Sequence, residues 1–314
     1  MGESAPLLAT AAAPVPAGGK AEWFTGVGGV RLRAALFQPE QTARGAVVVS
    51  PGRTEPIEKY FEVAEILTAR GFVVLAHDWR GHGLSYRPSG DQRGHAVGWR
   101  NFIGDYSALM DTFEARLPTP RLALGHSMGG CLTLLALALG EARFAGAILS
   151  APMLGLLTGA IPQPAARAMA RCLTLLGLGR GLAVRDPPAP DTFETNVLTH
   201  DRARWTRNTD QIAAHPELVV GPPTWGWLDF AFQATDKLQR GPGVPAISMP
   251  LSVVAAGEDR LVDNAALERV TARVPGGRFL VASGAYHEIL QETDALEAAF
   301  WTEFDLLSAR AGVA

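Results

Sequence analysis

The hydrophobic and polar positions of this 314-residue chain fall into two regimes. Near the start, two short runs, Glu22–Thr25 and Val30–Phe37, flank a Gly26–Gly29 turn, which predicts an antiparallel hairpin. From residue 46 onward, short β-branched or apolar runs alternate with longer helical ones. Ala46–Ser50, Phe72–Ala76, Arg121–Leu124, Ala145–Leu149, Leu251–Ala255 and Arg278–Ala282 read as strands. Helices are expected at Ile57–Arg70, Asn101–Arg116, Met128–Leu139, Asn264–Val274 and Thr293–Ala309, with Gly71 and Gly140 as stops. The last of these carries Leu296, Phe300, Phe304 and Leu307 at helical spacing, a core-facing stripe. A polar loop runs from His77 to about Gly98. Continuous apolar strands alternating with helices imply a mostly parallel sheet covered on both faces, here of about eight strands with an antiparallel start.

The alternation stops at Pro152 and resumes at Leu251. A gap of roughly 95 residues between core strands is far longer than a loop. It contains the helical stretch Ala165–Leu178 and Pro-rich breaks at Pro187–Pro190 and Pro222–Pro223. The expected organisation is therefore a core of residues 22–151 and 248–314, a helical cap subdomain at 152–247, and a disordered tail at 1–21. The tail is rich in Ala, Pro and Gly and lacks the basic start and long apolar centre of a secretory signal.

Composition narrows the function classes. Nearly half the residues are apolar and the formal net charge is −3, with no polybasic stripe, so nothing points to nucleic acid. No uncharged apolar run is long enough to span a bilayer; the densest, Met128–Leu139, is too short. Cys131 and Cys172 sit in apolar runs and read as buried thiols rather than a disulfide framework or zinc site. The expected location is cytoplasmic, with peripheral contact at the inner membrane surface left open.

The chemistry centres on Gly125-His126-Ser127-Met128-Gly129, between a strand and a helix. This G-x-S-x-G elbow puts a serine in a strained turn, where side chains two positions either way would collide; the turn lifts Oγ above the sheet edge. A serine nucleophile needs a base. If the chain order is Ser, acid, His, only His200, His215 and His287 qualify as base, and the first two lie in the insertion. His287 follows the Arg278–Ala282 strand on a short loop and should emerge beside Ser127. The acid should leave the preceding strand: Asp259 stands just beyond it, with Glu258 and Asp263 as rivals, Asp263 also suiting a helix N-cap. Two backbone N–H groups are needed for the oxyanion, and Met128 and Arg53 are the candidates, Gly52 allowing close approach.

These residues bring a family into view. Pro51-Gly52-Arg53-Thr54-Glu55 with Lys59-Tyr60, Asp78 through Ser85 (DWRGHGLS), Gly125–Gly130 (GHSMGG), Gly257-Glu258-Asp259 and Ala285-Tyr286-His287-Glu288 occur together in order. The chain resembles the lysophospholipase and monoacylglycerol lipase branch of the α/β-hydrolases, most of all the bacterial lysophospholipase L2 type, whose loop reads Pro-Gly-Arg. Asn196–Asp201 and Gly221–Trp225 extend the likeness into the insertion, so it covers about residues 22–307. It implies an α/β-hydrolase fold, a Ser127, Asp259 and His287 triad, and Arg53 and Met128 as oxyanion donors. Pro51 stands where monoglyceride lipases carry histidine, which removes a side-chain contact.

The implied reaction is two-step ester hydrolysis through an acyl-enzyme, with no metal or cofactor. A small lipid-like ester, such as a lysophospholipid or monoacylglycerol, is the expected substrate. Met169, Leu173 and Leu176, with Cys172 and Leu175, are apolar enough to line an acyl slot or simply to pack on the core; Trp225 and Trp227, with Phe230 and Phe232, are candidates to wall it or to anchor the cap. Asp78–Gly83 is expected to shape a turn beside the site, and Gly177–Gly181, which follows a helix rather than a strand, is no dinucleotide fingerprint. Rival readings are a short-chain esterase, a thioesterase, a proline-type aminopeptidase, or a binding protein that keeps the fold without turnover.

Overall fold

The computed structural model describes residues 2–184 and 192–313; Pro187–Pro190, expected as a break, lie outside the described residues. The hairpin forms from β2 (Lys20–Thr25) and β3 (Arg31–Phe37), after a two-residue β1 (Ser4–Ala5). Then come β4 (Gly45–Ser50), α1 (Phe61–Ala69), β5 (Phe72–His77), α2 (Arg100–Phe113), β6 (Arg121–His126), α3 (Ser127–Ala138) and β7 (Gly146–Ser150). Helices α4 (Gln163–Leu175), α5 (Arg202–Ala214) and α6 (Trp225–Arg240) precede β8 (Leu251–Ala256), α7 (Asn264–Thr271), β9 (Arg278–Ala282) and α8 (Asp294–Arg310).

The sheet has nine strands in the order β1-β2-β3-β5-β4-β6-β7-β8-β9. Pairing is antiparallel from β1 to the β3–β5 contact and parallel beyond it, as in an α/β-hydrolase core. Strands β4, β5, β7 and β8 are buried along their whole length, which explains why they read as unbroken apolar runs. Side chains alternate between two cores. One face of the sheet packs Val48, Leu75 and Ala123 against α2, α3 and α6; the other packs Val47, Val74 and Leu124 against α1 and α8. Phe300, Phe304 and Leu307 of α8 are fully buried in the second core, and Leu296 packs against it.

Two regions differ from the sequence expectation. The helix expected from Ile57 begins as a 3-10 turn at Ile57–Tyr60, with the Ile57 amide donating to Asp78 at 2.9 Å. The loop after β5 is polar in composition, yet its first part, Asp78–Ser85, is almost wholly buried, with Trp79 against Phe102 and Tyr106. Its Asp78 carboxylate also accepts from Arg33 and the Leu84 amide, so this stretch braces the loops around it.

The first residues are not a disordered tail. Ser4 and Ala5 pair with Glu22 and Ala21, and Ala5 and Ala13 are buried. The physical reason is the buried Arg33, whose guanidinium has Asp78 and Glu58 as ion-pair partners and the Pro6 carbonyl as a further acceptor at 2.9 Å. The Leu8 amide donates to Glu58, and the Leu8 carbonyl accepts from Gln211 of α5. An Ala- and Pro-rich segment is thus held by its backbone, which composition does not reveal. Cys131 is buried, whereas Cys172 is exposed on α4, contrary to expectation: α4 buries only Ala166 and Ala170, and residue 172 falls on its outer side.

Deleting residues 2–13 is expected to strip Arg33 of its carbonyl acceptor and to lower Tm by at least about 2–4 °C, equivalent to about 1 kcal/mol. Thermal unfolding of the two forms checks this; an unchanged midpoint would contradict the ordered role of the segment.

Candidate active site

Strand β6 is buried to its end, and α3 begins at the next residue, Ser127, whose φ is +49°. That strain persists because the chain around it is over-determined. A Cβ on Gly129 would stand 2.1 Å from the Ser50 carbonyl and 2.3 Å from that of Pro51, so no other residue fits there. The close approach sets the loop after β4 against the first turn of α3.

His287 follows β9 on a turn, and its Nε2 lies 2.9 Å from the Ser127 Oγ. Its Nδ1 is 2.7 Å from Asp259 Oδ2, beyond the end of β8. A ring donating from Nδ1 to the carboxylate leaves the Nε2 lone pair toward the serine hydroxyl. The other Asp259 oxygen accepts from the Leu261 and Val262 amides at 2.8 and 3.0 Å. Burial alone would raise the Asp259 carboxyl; the His287 contact and these two amides outweigh it and hold it below the usual carboxylate range.

The rivals are placed elsewhere. Asp263 caps α7, accepting from the Ala265 amide at 3.0 Å. His200 pairs with Glu292 at 2.8 Å, and His215 lies at the end of α5 beside Glu217. The Arg53 and Met128 N–H groups both lack a hydrogen-bond partner among the described residues. Both residues border the site: Arg53 lines the cavity over Ser127, and Met128 follows the serine in α3.

A buried polar cluster behind the serine was not expected from the sequence. Glu55 accepts from the Gly52 amide, from Tyr60 at 2.6 Å and from His126 Nδ1 at 3.0 Å. Lys59 bridges Glu55 at 3.0 Å and Glu288 at 2.5 Å, and His126 Nε2 reaches the His287 carbonyl at 3.3 Å. Burial by itself would raise the Glu55 carboxyl, but His126 and Lys59 hold it well below its ordinary range. Burial would likewise lower His126, and Glu55 raises it instead. This cluster clamps Gly52, and Trp79 fixes Pro51 by donating to its carbonyl at 2.8 Å. The residues stood in the sequence as parts of a motif; the four-residue spacing of Glu55 and Lys59 was the only signal of a pair.

Ser127 and His287 border a cavity of about 650 Å³ whose walls are largely apolar. Of the expected lining residues, Met169, Trp225 and Trp227 face it. Leu173 and Leu176 do not: Leu173 is half-buried away from it, and Leu176 is 74% exposed at the end of α4. The turn of α4 that meets the cavity carries Ala166 and Met169, three residues apart; Leu173 and Leu176 continue the same stripe but lie one and two turns further along the axis, beyond the cavity. Phe232 joins the wall, while Phe230 is fully buried against Phe102, anchoring α6 to the body. A neighbouring cavity of about 480 Å³ shares Thr54, Leu198 and Glu288 with the first. Among the described residues no cluster of His, Cys, Asp and Glu has the arrangement to hold a metal, and no helix is long and apolar enough to cross a membrane.

Residues 41–294 match the family described as "Serine aminopeptidase, S33". The chain belongs to this family of α/β-hydrolases. It is 35% identical to lysophospholipase L2 of Escherichia coli (strain K12), over 87% of this chain and 82% of that protein. It is 29% identical to a monoacylglycerol lipase of Mycolicibacterium smegmatis, over 86% of this chain and 91% of that protein. Among solved structures, a soluble variant of monoglyceride lipase from Saccharomyces cerevisiae superposes with a TM-score of 0.76 over 98% of this chain and 99% of the other; at 18% identity this likeness concerns the fold alone. The resemblance to the lysophospholipase and monoacylglycerol lipase branch is thereby borne out, and the chain is an enzyme of the serine-hydrolase type.

The geometry separates the two acid candidates. Asp259→Asn is expected to cost on the order of 10⁴ in kcat, because an amide cannot hold the required tautomer. Asp263→Asn keeps a cap and should stay within about threefold of the parent. Steady-state kinetics on one ester decide; a larger loss at Asp263 would contradict the assignment.

Proposed function

We propose that the chain hydrolyses esters of single-chain acyl lipids through a Ser127 acyl-enzyme. The observation that carries this reading is the relay from Asp259 (2.7 Å) through His287 (2.9 Å) to a serine at the edge of a largely apolar cavity. His287 Nε2 takes the Ser127 proton as Oγ attacks the acyl carbonyl. The oxyanion forms against the Arg53 and Met128 amides, the latter at the start of α3 where the helix dipole also favours negative charge. Collapse breaks the ester bond, and the alcohol leaves with the proton from His287. Water, deprotonated by the same imidazole, then attacks the acyl-enzyme and releases the fatty acid, restoring Ser127.

A single acyl chain suits a cavity of this size and lining. The names of the relatives, lysophospholipase L2 and monoacylglycerol lipase, favour the same substrate class. An aminopeptidase, as the family description reads, needs an acidic anchor for the substrate ammonium. Glu55 and Glu288 line the cavity, but Lys59 engages both, which disfavours that reading. We assign residues 152–247 as a helical cap over the core formed by 22–151 and 248–314. The exposed Leu175, Leu176 and Leu178 at the end of α4 give the cap an apolar edge suited to peripheral contact with lipid.

Hydrolysis of lysophosphatidylcholine, monoacylglycerol, short p-nitrophenyl esters and aminoacyl amides, measured side by side with Ser127→Ala as blank, tests this. The single-chain lipids should be cleaved fastest, and Ser127→Ala should lower kcat by about 10⁶. Preference for aminoacyl amides, or a serine variant that keeps its rate, would overturn the proposal.

A further inference from the structure

The main chain of Arg53 accounts for one of the two oxyanion donors; its side chain is not used by that chemistry. Arg53 lines the same cavity as Ser127. Nη2 donates to the Gly221 carbonyl at 2.7 Å, and the guanidinium lies over the Trp227 ring, 5.2 Å from its centroid. Nε is enclosed and meets no acceptor among the described residues. The indole Nε1 of Trp227, on the same wall, is also enclosed without a partner. Two unsatisfied N–H donors therefore belong to one stacked pair of side chains. Buried polar groups are seldom left unpaired, and a pair of them marks a place where an acceptor is expected.

The positive charge is equally uncompensated. No carboxylate among the described residues pairs with Arg53: Glu55 is taken up by Gly52, Tyr60, His126 and Lys59, and Glu288 by Lys59. His82, which shares the field of Arg53, is pushed by burial down to about 4 and so is neutral. Desolvation lowers the Arg53 guanidinium to about 10, which still leaves it charged at neutral pH. A desolvated cation without a counter-charge is costly to keep, and an entering anion relieves that cost.

Position supplies the chemical class. The Arg53 amide faces the scissile carbonyl in the proposed reaction, and an arginine side chain is long enough to reach a group one glycerol unit from the ester. In a lysophospholipid that is where the phosphate lies. We infer that the Arg53 side chain, with the Trp227 indole N–H, recognises the phosphodiester of the leaving group and makes the chain selective for lysophospholipids over uncharged monoacylglycerols. The planar fork of a guanidinium matches two phosphate oxygens, whereas the hydroxyls of a monoacylglycerol offer no charge to pair with. This inference rests on the proposed lipid-ester hydrolase reading and deepens it.

The test compares kcat/KM for octanoyl lysophosphatidylglycerol and monooctanoylglycerol, both below their aggregation concentrations, in the unaltered full chain and in Arg53→Met. The phospholipid-to-neutral ratio should fall about tenfold or more in Arg53→Met, and Arg53→Lys should recover part of it. Equal losses on both lipids would overturn the inference, leaving the side chain as a structural tie to Gly221. A second measurement needs no variant: sn-glycerol 3-phosphate should inhibit monooctanoylglycerol hydrolysis competitively where glycerol at the same concentration does not. Absence of that inhibition also overturns the inference. Inhibition by inorganic phosphate, with an unchanged lipid ratio, would mark a free-anion site and overturn the head-group assignment. An unaltered chain that cleaves neither lipid would instead remove the hydrolase reading beneath it.

Discussion

The carbonyl oxygens of Ser50 and Pro51 occupy the space that a side chain on residue 129 would need, and much of the site is arranged around that contact. It locks the end of β4 onto the first turn of α3, so the loop carrying Arg53 and the helix carrying Met128 lie side by side. It also leaves Ser127 no relaxed backbone, and the left-handed φ at this residue turns the hydroxyl out of the sheet. The parallel register then does the rest. β8 and β9 lie on the same side of the elbow strand and run in its direction, so the loops leaving their ends deliver Asp259 and His287 to one edge.

Around this backbone constraint the charges form layers. Asp259 is ionised and spent on His287 and two amides. Behind the serine, Glu55, His126, Lys59 and Glu288 form a closed cluster that holds the Gly52–Arg53 loop from beneath. Further out, Arg33, Glu58 and Asp78 tie the first residues, the hairpin and the loop after β5 into one buried network. Each layer satisfies its own charges. Arg53 is the exception on the cavity wall, and that contrast gives its side chain a recognition role rather than a structural one.

Much of this was legible in the amino-acid sequence because it is local. Strand and helix positions follow from runs of apolar residues a few positions long, and the elbow is a five-residue pattern whose glycines answer to a steric need. Asp259 and His287 were reachable as candidates because topology converts chain order into place: a residue just past the end of a parallel strand has few destinations. What escaped depends on partners far apart in sequence. Glu55 meets His126 across the sheet, and nothing near either residue announces the other. The order of the first residues depends on Arg33 and Gln211, which composition cannot weigh. The misplacements on α4 share another cause: Cys172, Leu173 and Leu176 are apolar, but which turn of a helix meets a cavity is set by its packing against α6, through Ala166, Ala170 and Phe232.

Catalysis in this scheme depends on Ser127 being the group that His287 activates. Its most direct test is intact-protein and peptide mass spectrometry after exposure to a fluorophosphonate. One adduct per chain, located on Ser127 and lost when His287 is replaced by alanine, is the predicted result. Labelling of a different side chain, or adduct formation at Ser127 that persists at full rate without His287, would contradict it.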